Sequence, residues 1–140
     1  MIDLAAASLA RTGRLRLRVT GSSMLPAIRP GDVLRVERCD AGALSPGEVV
    51  LYRRGERLFA HRAVRRGPPS LALRGDTLDA DDAPVEAGQV LGRVVAIERR
   101  GREIHPGHSR GALQRAAARL FAASPLAGRL FTRLEALRER

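Results

Sequence analysis

Three kinds of side chain in this sequence have the types and the order that acyl transfer needs. Ser23 lies in Gly21-Ser22-Ser23-Met24-Leu25-Pro26, followed at once by Pro30-Gly31-Asp32. His61 sits between Ala60 and Arg62, and Asp76, Asp79, Asp81 and Asp82 crowd the stretch from Gly75 to Pro84. A serine hydroxyl is a weak nucleophile until a neighbouring base takes its proton, and an imidazole base needs an acceptor to fix its tautomer. Each feature alone has a plainer reading: a Ser-rich turn, a structural histidine in a strand, ordinary Asp turn chemistry. Together they fill all three roles.

Other chemistries find fewer parts. All 25 basic residues are Arg, with no Lys and no Asn anywhere. A guanidinium does not deprotonate in proteins, so a Ser-Lys mechanism is excluded. Cys39 is the only cysteine, which rules out an intrachain disulfide and a multi-Cys metal cluster. His105 and His108 form His-Pro-Gly-His, but a metal site needs further ligands and none cluster nearby. No metal or organic cofactor is expected.

The elements that must position these residues are strands. Arg14-Leu15-Arg16-Leu17-Arg18-Val19 alternates strictly, which predicts a half-buried strand leading into the Ser23 turn. Further strands are predicted at Val33–Val36, Glu48–Arg53, Leu58–Val64, Leu71–Leu73 and Val90–Glu98. Gly55 closes a hairpin, and Gly92 marks a bulge. Six short strands between Gly and Pro turns indicate an all-β core. Residues 1–13 read as a short N-terminal helix, 14–104 as the β-rich domain and 105–140 as a basic amphipathic helical extension. In that extension Leu113, Ala117, Leu120 and Phe121, then Leu126, Leu130, Leu134 and Leu137, follow helical spacing across Ser124-Pro125.

Net charge is +10, and it collects at the ends. Residues 1–22 carry four Arg against Asp3, and residues 105–140 carry seven Arg against Glu135 and Glu139. The basic tail suits packing on the β-core or on a second copy, attachment at a membrane surface, or docking of a partner protein. Nucleic acid is a poor fit, because one Tyr and three Phe leave little for base stacking. No apolar run approaches the ~20 residues that span a bilayer, and Ala5 to Ala10 is too short for a secretory signal. The expected location is the cytoplasm, with a peripheral membrane position open through the tail.

The order of these boxes resembles the signal peptidase I family, in the Ser-His-Asp branch typical of the endoplasmic reticulum and archaea. The matching residues are Ser23-Met24-Leu25-Pro26 with Gly31-Asp32, then Gly47-Glu48-Val49-Val50-Leu51-Tyr52-Arg53, then His61-Arg62-Ala63-Val64. Gly75-Asp76 with Asp81-Asp82, and finally Gly92-Arg93-Val94, complete the set. The resemblance implies a mainly β fold of the signal-peptidase and repressor-peptidase kind, with a C-terminal helical appendage. It implies Ser23 as nucleophile, His61 as general base, Asp82 as the acid that orients it and Asp76 as a second acidic group near the site. Ser22 and Met24 become candidate oxyanion and substrate-binding positions. Two departures stand out. Gly21 replaces a serine whose hydroxyl helps hold the oxyanion in the family, and only 22 residues precede Ser23, where family members carry a membrane helix.

The function so implied is a serine endopeptidase that cleaves a signal or leader peptide, after small residues, from a precursor bound as an extended strand. The alternative is a catalytically silent peptide-binding module of the same fold.

Overall fold

Alternation sets the first strand, and the rest of the sheet grows from it. The computed structural model describes residues 2–67, 70–78, 82–106 and 134–136. Strand β1 (Arg14–Val19) buries Leu17 and Val19 and exposes its arginines, as its pattern predicts. Helix α1 (Ile2–Thr12) precedes it and stops at Gly13, whose φ of +73° lets its N–H bond Leu9 O at 2.8 Å. A helix this short is marginal alone; the burial of Ala5 and Leu9 in the core holds it.

The remaining strands are β2 (Val33–Arg38), β3 (Val49–Arg54), β4 (Arg57–Gly67), β5 (Ser70–Arg74), β6 (Val85–Glu86), β7 (Val90–Arg99), β8 (Arg102–Ile104) and β9 (Leu134–Ala136). They form one antiparallel sheet in the order β6-β5-β4-β3-β7-β2-β1-β9, with β8 paired to β7. The fold is therefore mainly β, as the sequence predicts. Gly55 closes the β3–β4 hairpin at φ +59°. Both faces of β3 are covered: Val49 and Leu51 join the core under α1, and Val50 and Tyr52 join a second cluster with Leu44, Leu73 and Val85. That explains why this strand reads as a continuous apolar run rather than an alternating one.

Strand β7 is the hinge of the architecture. Its register slips against β2 between Arg35 and Val36, leaving Val95 extra, and against β3 between Leu51 and Tyr52, leaving Leu91 extra. Gly92, expected to be the bulge, lies between these two irregularities and has a different job. A Cβ there would stand 2.4 Å from Glu37 O and 2.8 Å from Val36 Cγ1, so only glycine lets β2 approach. Bulges of this kind increase coiling. The coiling has a direct consequence, because β1 and β4 are four positions apart in the sheet. At ~4.8 Å per strand a flat sheet would separate them by about 19 Å; the coiling and the turn after β1 together bring Ser23, four residues past Val19, to His61 within β4.

The C-terminal extension needs one correction. Leu134 to Ala136, read as helical from leucine spacing, form a strand paired antiparallel to β1. Leu134-Glu135-Ala136 is too short to show any period of its own, and β1 offers it an open row of backbone groups. His105 and Pro106 are not helical either. The other residues assigned to that helical extension lie outside the described residues. Among the described residues, no helix is long and apolar enough to cross a membrane.

Candidate active site

Ser23 follows β1 in a turn that backbone contacts define closely. Met24 O accepts from Ile28 N at 2.9 Å, and the Leu25–Pro26 peptide is cis. Gly31, at φ +93°, donates its N–H to Val19 O at 2.7 Å, and Asp32 O accepts from Val19 N at 2.8 Å. The buried Asp32 carboxylate takes Arg99 through both oxygens, at 2.9 and 2.7 Å, and also accepts from Arg29 N. Asp32, the acid of the nucleophile box, is thus a clamp that closes the turn onto the end of β7.

On the other side, the chain after β5 is stitched to the same turn. Thr77 donates to Ser23 O from both its N–H, at 3.0 Å, and its hydroxyl, at 3.1 Å. Gly75 permits this approach, since a Cβ there would stand 2.9 Å from Ser23 O. The result places Ser23 Oγ 3.0 Å from His61 Nε2 on β4. His61 Nδ1 lies 2.6 Å from Asp82 Oδ2, and Asp82 N donates to Leu73 O on β5 at 2.7 Å. A carboxylate only accepts, so the imidazole proton belongs on Nδ1 and the Nε2 lone pair faces the serine hydroxyl. The structure brings Ser23, His61 and Asp82 into one hydrogen-bonded chain. Ser23 is 0% exposed and His61 4%.

The other candidate positions fall differently. Asp76 does not face the imidazole: both its oxygens bind Arg62, at 3.0 Å each, and Arg62 also donates to Gly47 O at 2.8 Å. Met24 is a core side chain, 2% exposed, with its sulfur 3.4 Å from Asp76 N, rather than a wall open to substrate. Ser22 is half-buried beside the nucleophile, with its carbonyl accepting from Leu25 N at 3.2 Å. Asp79 and Asp81 lie outside the described residues, as does His108. His105 is exposed, with Nδ1 3.3 Å from Val95 O.

Tyr52 is the residue that sequence reasoning missed. Its hydroxyl donates to Asp82 Oδ2 at 2.8 Å, the same oxygen that faces His61. Its ring stacks on Phe59 at 5.3 Å and meets His61 edge-on at 6.1 Å. In the sequence it looked like any β-forming aromatic on a strand. Burial pushes its pKa well above the ordinary tyrosine value, and the Asp82 charge and hydrogen bond push the same way.

That shift has a visible signature. A group with a raised folded pKa contributes its stability fully below the unfolded value of about 10 and loses it as pH climbs towards the folded value. Tyr52 is the only tyrosine, and the chain has no Lys to titrate beside it. Native protein is therefore expected to show no tyrosinate absorbance near pH 10.5. Its stability should fall there by about 1 kcal/mol per pH unit, steepening towards about 1.4 at higher pH. Tyr52→Phe should flatten that slope; an unchanged slope in urea melts at several alkaline pH values would refute the assignment.

Fold and site together define a β-rich, peptidase-like protein with a hydroxyl, an imidazole and a carboxylate in contact. No protein-family model matches the chain. Inactive signal peptidase IA of Staphylococcus aureus strain COL is 28% identical over 79 residues, 55% of this chain and 45% of that protein. The protein of the same name from strain MRSA252 matches to the same extent. The match thus covers less than half the length of these relatives. At this level the chain is similar to the signal peptidase I-like family.

Proposed function

We propose that the protein is a serine endopeptidase of signal peptidase type that uses a Ser-His-Asp triad to cleave a signal or leader peptide. The observation that carries this reading is the continuous chain Ser23 Oγ, His61 Nε2 and Nδ1, Asp82 Oδ2, at 3.0 and 2.6 Å. His61 takes the Ser23 proton as Oγ attacks a peptide carbonyl. The same imidazole then protonates the leaving amine, and a water it deprotonates releases the acyl group from Ser23. Asp82, steadied by Tyr52, holds the ring and stabilises the imidazolium. With glycine at position 21, the Ser23 N–H and the Ser22 hydroxyl are the nearest candidates to meet the oxyanion. The substrate is an extended precursor peptide, which adds as a strand beside β1. The cytoplasm is the proposed location, with peripheral attachment to a membrane surface through the basic tail.

A second reading, a catalytically silent peptide-binding module, draws support from two observations. The relatives it resembles are named inactive, and Ser23 has no exposed surface. One experiment separates the two. The pure protein is incubated with an unbiased peptide pool and cleavage is read by mass spectrometry, beside Ser23→Ala and His61→Ala. The peptidase reading expects new peptide ends from wild type and a loss of about 10⁶-fold in either variant. Cleavage that persists in Ser23→Ala would refute the triad, and no cleavage by any form would favour the module.

A further inference from the structure

The two edges of β1 are used by different partners, and backbone direction shows which groups serve each. Val19 spends its N–H on Asp32 O, at 2.8 Å, and its C=O on Gly31 N, at 2.7 Å, so both its polar groups point to the β2 side. Backbone groups alternate along a strand, which turns the N–H and C=O of Arg18 to the opposite edge. In the register of β9, Arg18 stands across from Glu135, Leu17 across from Ala136 and Val19 across from Leu134. Arg18 and Glu135 are therefore the pair that exchanges both hydrogen bonds, while the N–H groups of Leu134 and Ala136 point away from β1.

This edge runs directly into the Ser23 turn. An extended peptide reaching Ser23 along β1 needs the same outward N–H and C=O of Arg18 that Glu135 occupies. Strand β9 is antiparallel to β1, with Leu134 opposite Val19 at the Ser23 end and Ala136 opposite Leu17 farther from it. The complete burial of Ser23 fits a site that is closed until something moves.

We propose that the outer edge of β1 is a strand-docking surface held by the chain's own Leu134–Ala136, and that this segment competes there with an extended peptide substrate. The competition rests on the peptidase reading above; the docking surface does not. The partner is fixed by backbone pairing alone, so a change that removes one N–H tests it. Proline lacks the donor and is tolerated only where the N–H faces outward. Glu135→Pro removes the donor to Arg18 O, whereas Ala136→Pro removes an N–H that points away and serves as the control.

Both variants are made in the full-length chain. Hydrogen exchange at the Arg18 amide is read alongside Ser23 labelling by a peptidyl phosphonate that must lie along the strand edge. Glu135→Pro is expected to speed Arg18 exchange by about tenfold or more, the scale of one to two lost hydrogen bonds, and to speed labelling by a similar factor. Ala136→Pro should leave both near wild type. Arg18 protection that survives Glu135→Pro, or that falls equally in Ala136→Pro, would overturn the docking surface. Faster exchange with an unchanged labelling rate would overturn the competition. Faster exchange with no labelling in any form, wild type included, would sink the peptidase reading while the docking surface stands.

Discussion

Asp82→Asn is expected to slow acylation of Ser23 by about 10⁴-fold while leaving the fold intact. The reason lies in how one oxygen is shared. Asp82 Oδ2 faces His61 Nδ1 at 2.6 Å and accepts from Tyr52 at 2.8 Å, so the imidazole and the phenol both point donors at it. An asparagine meets this demand in two ways, and both fail. If its oxygen takes both donors, geometry survives but the charge that stabilises the imidazolium is gone. If its NH₂ faces Nδ1, the ring proton is forced to Nε2, beside a hydroxyl that then has no base. The backbone bond from residue 82 to Leu73 O is unaffected by the change, which is why the fold should hold. The measurement is the second-order rate of labelling by an active-site phosphonate, with urea melts as the check on folding. A rate within tenfold of wild type would mean that Asp82 does not hold the base.

The pairing of one carboxylate with a guanidinium and another with an imidazole explains why the site was only partly legible in the sequence. Ser23, His61 and the acidic loop were readable because histidine is scarce and their order is informative: one strand histidine, one turn serine box, one acidic loop. Asp76 and Asp82 could not be told apart by type. Their roles depend on which faces a guanidinium and which an imidazole, and that is set by the course of the chain after β5. Arg62 stands next to His61 in the sequence, yet its side chain leaves on the other face of β4, which is how one strand serves both acids. Tyr52 gave no signal because a tyrosine in an apolar strand is ordinary; its contact with Asp82 depends on the course of the chain after β5. The strand at Leu134–Ala136 was misread for a related reason. Leucines at 126, 130, 134 and 137 satisfy helical spacing, and an open sheet edge elsewhere in the chain is invisible to local periodicity. The six longer strands were legible, since alternation in β1 and apolar runs in β3 and β7 report burial directly, whereas β6 and β8, of two and three residues, are too short to show a pattern.

Removing either half of the buried Arg62–Asp76 pair is expected to cost about 3–5 kcal/mol, a large share of a small domain's stability. The two side chains are 7% and 2% exposed, so neither ion can recover its hydration when the other is deleted. Arg62→Ala would also leave Gly47 O without the donor that stands 2.8 Å away. Asp76→Asn is the gentler change, because it keeps shape while removing charge. It should still lower the urea midpoint, by removing the charge that both Asp76 oxygens share with the buried guanidinium. Its effect on catalysis is expected to be indirect and modest. Asp76 stands between Gly75, which leaves room for the approach to Ser23 O, and Thr77, which donates to it, so a loosened loop blurs the position of Ser23 without touching His61. Stabilising the variant by cooling should therefore restore labelling in Asp76→Asn and never in Asp82→Asn. Failure of cooling to rescue Asp76→Asn, in protein shown to be folded, would place Asp76 in the chemistry and undo the division of labour between the two acids. The same loop would then supply a second group to the imidazole, in conflict with the bidentate hold of Arg62 on both Asp76 oxygens.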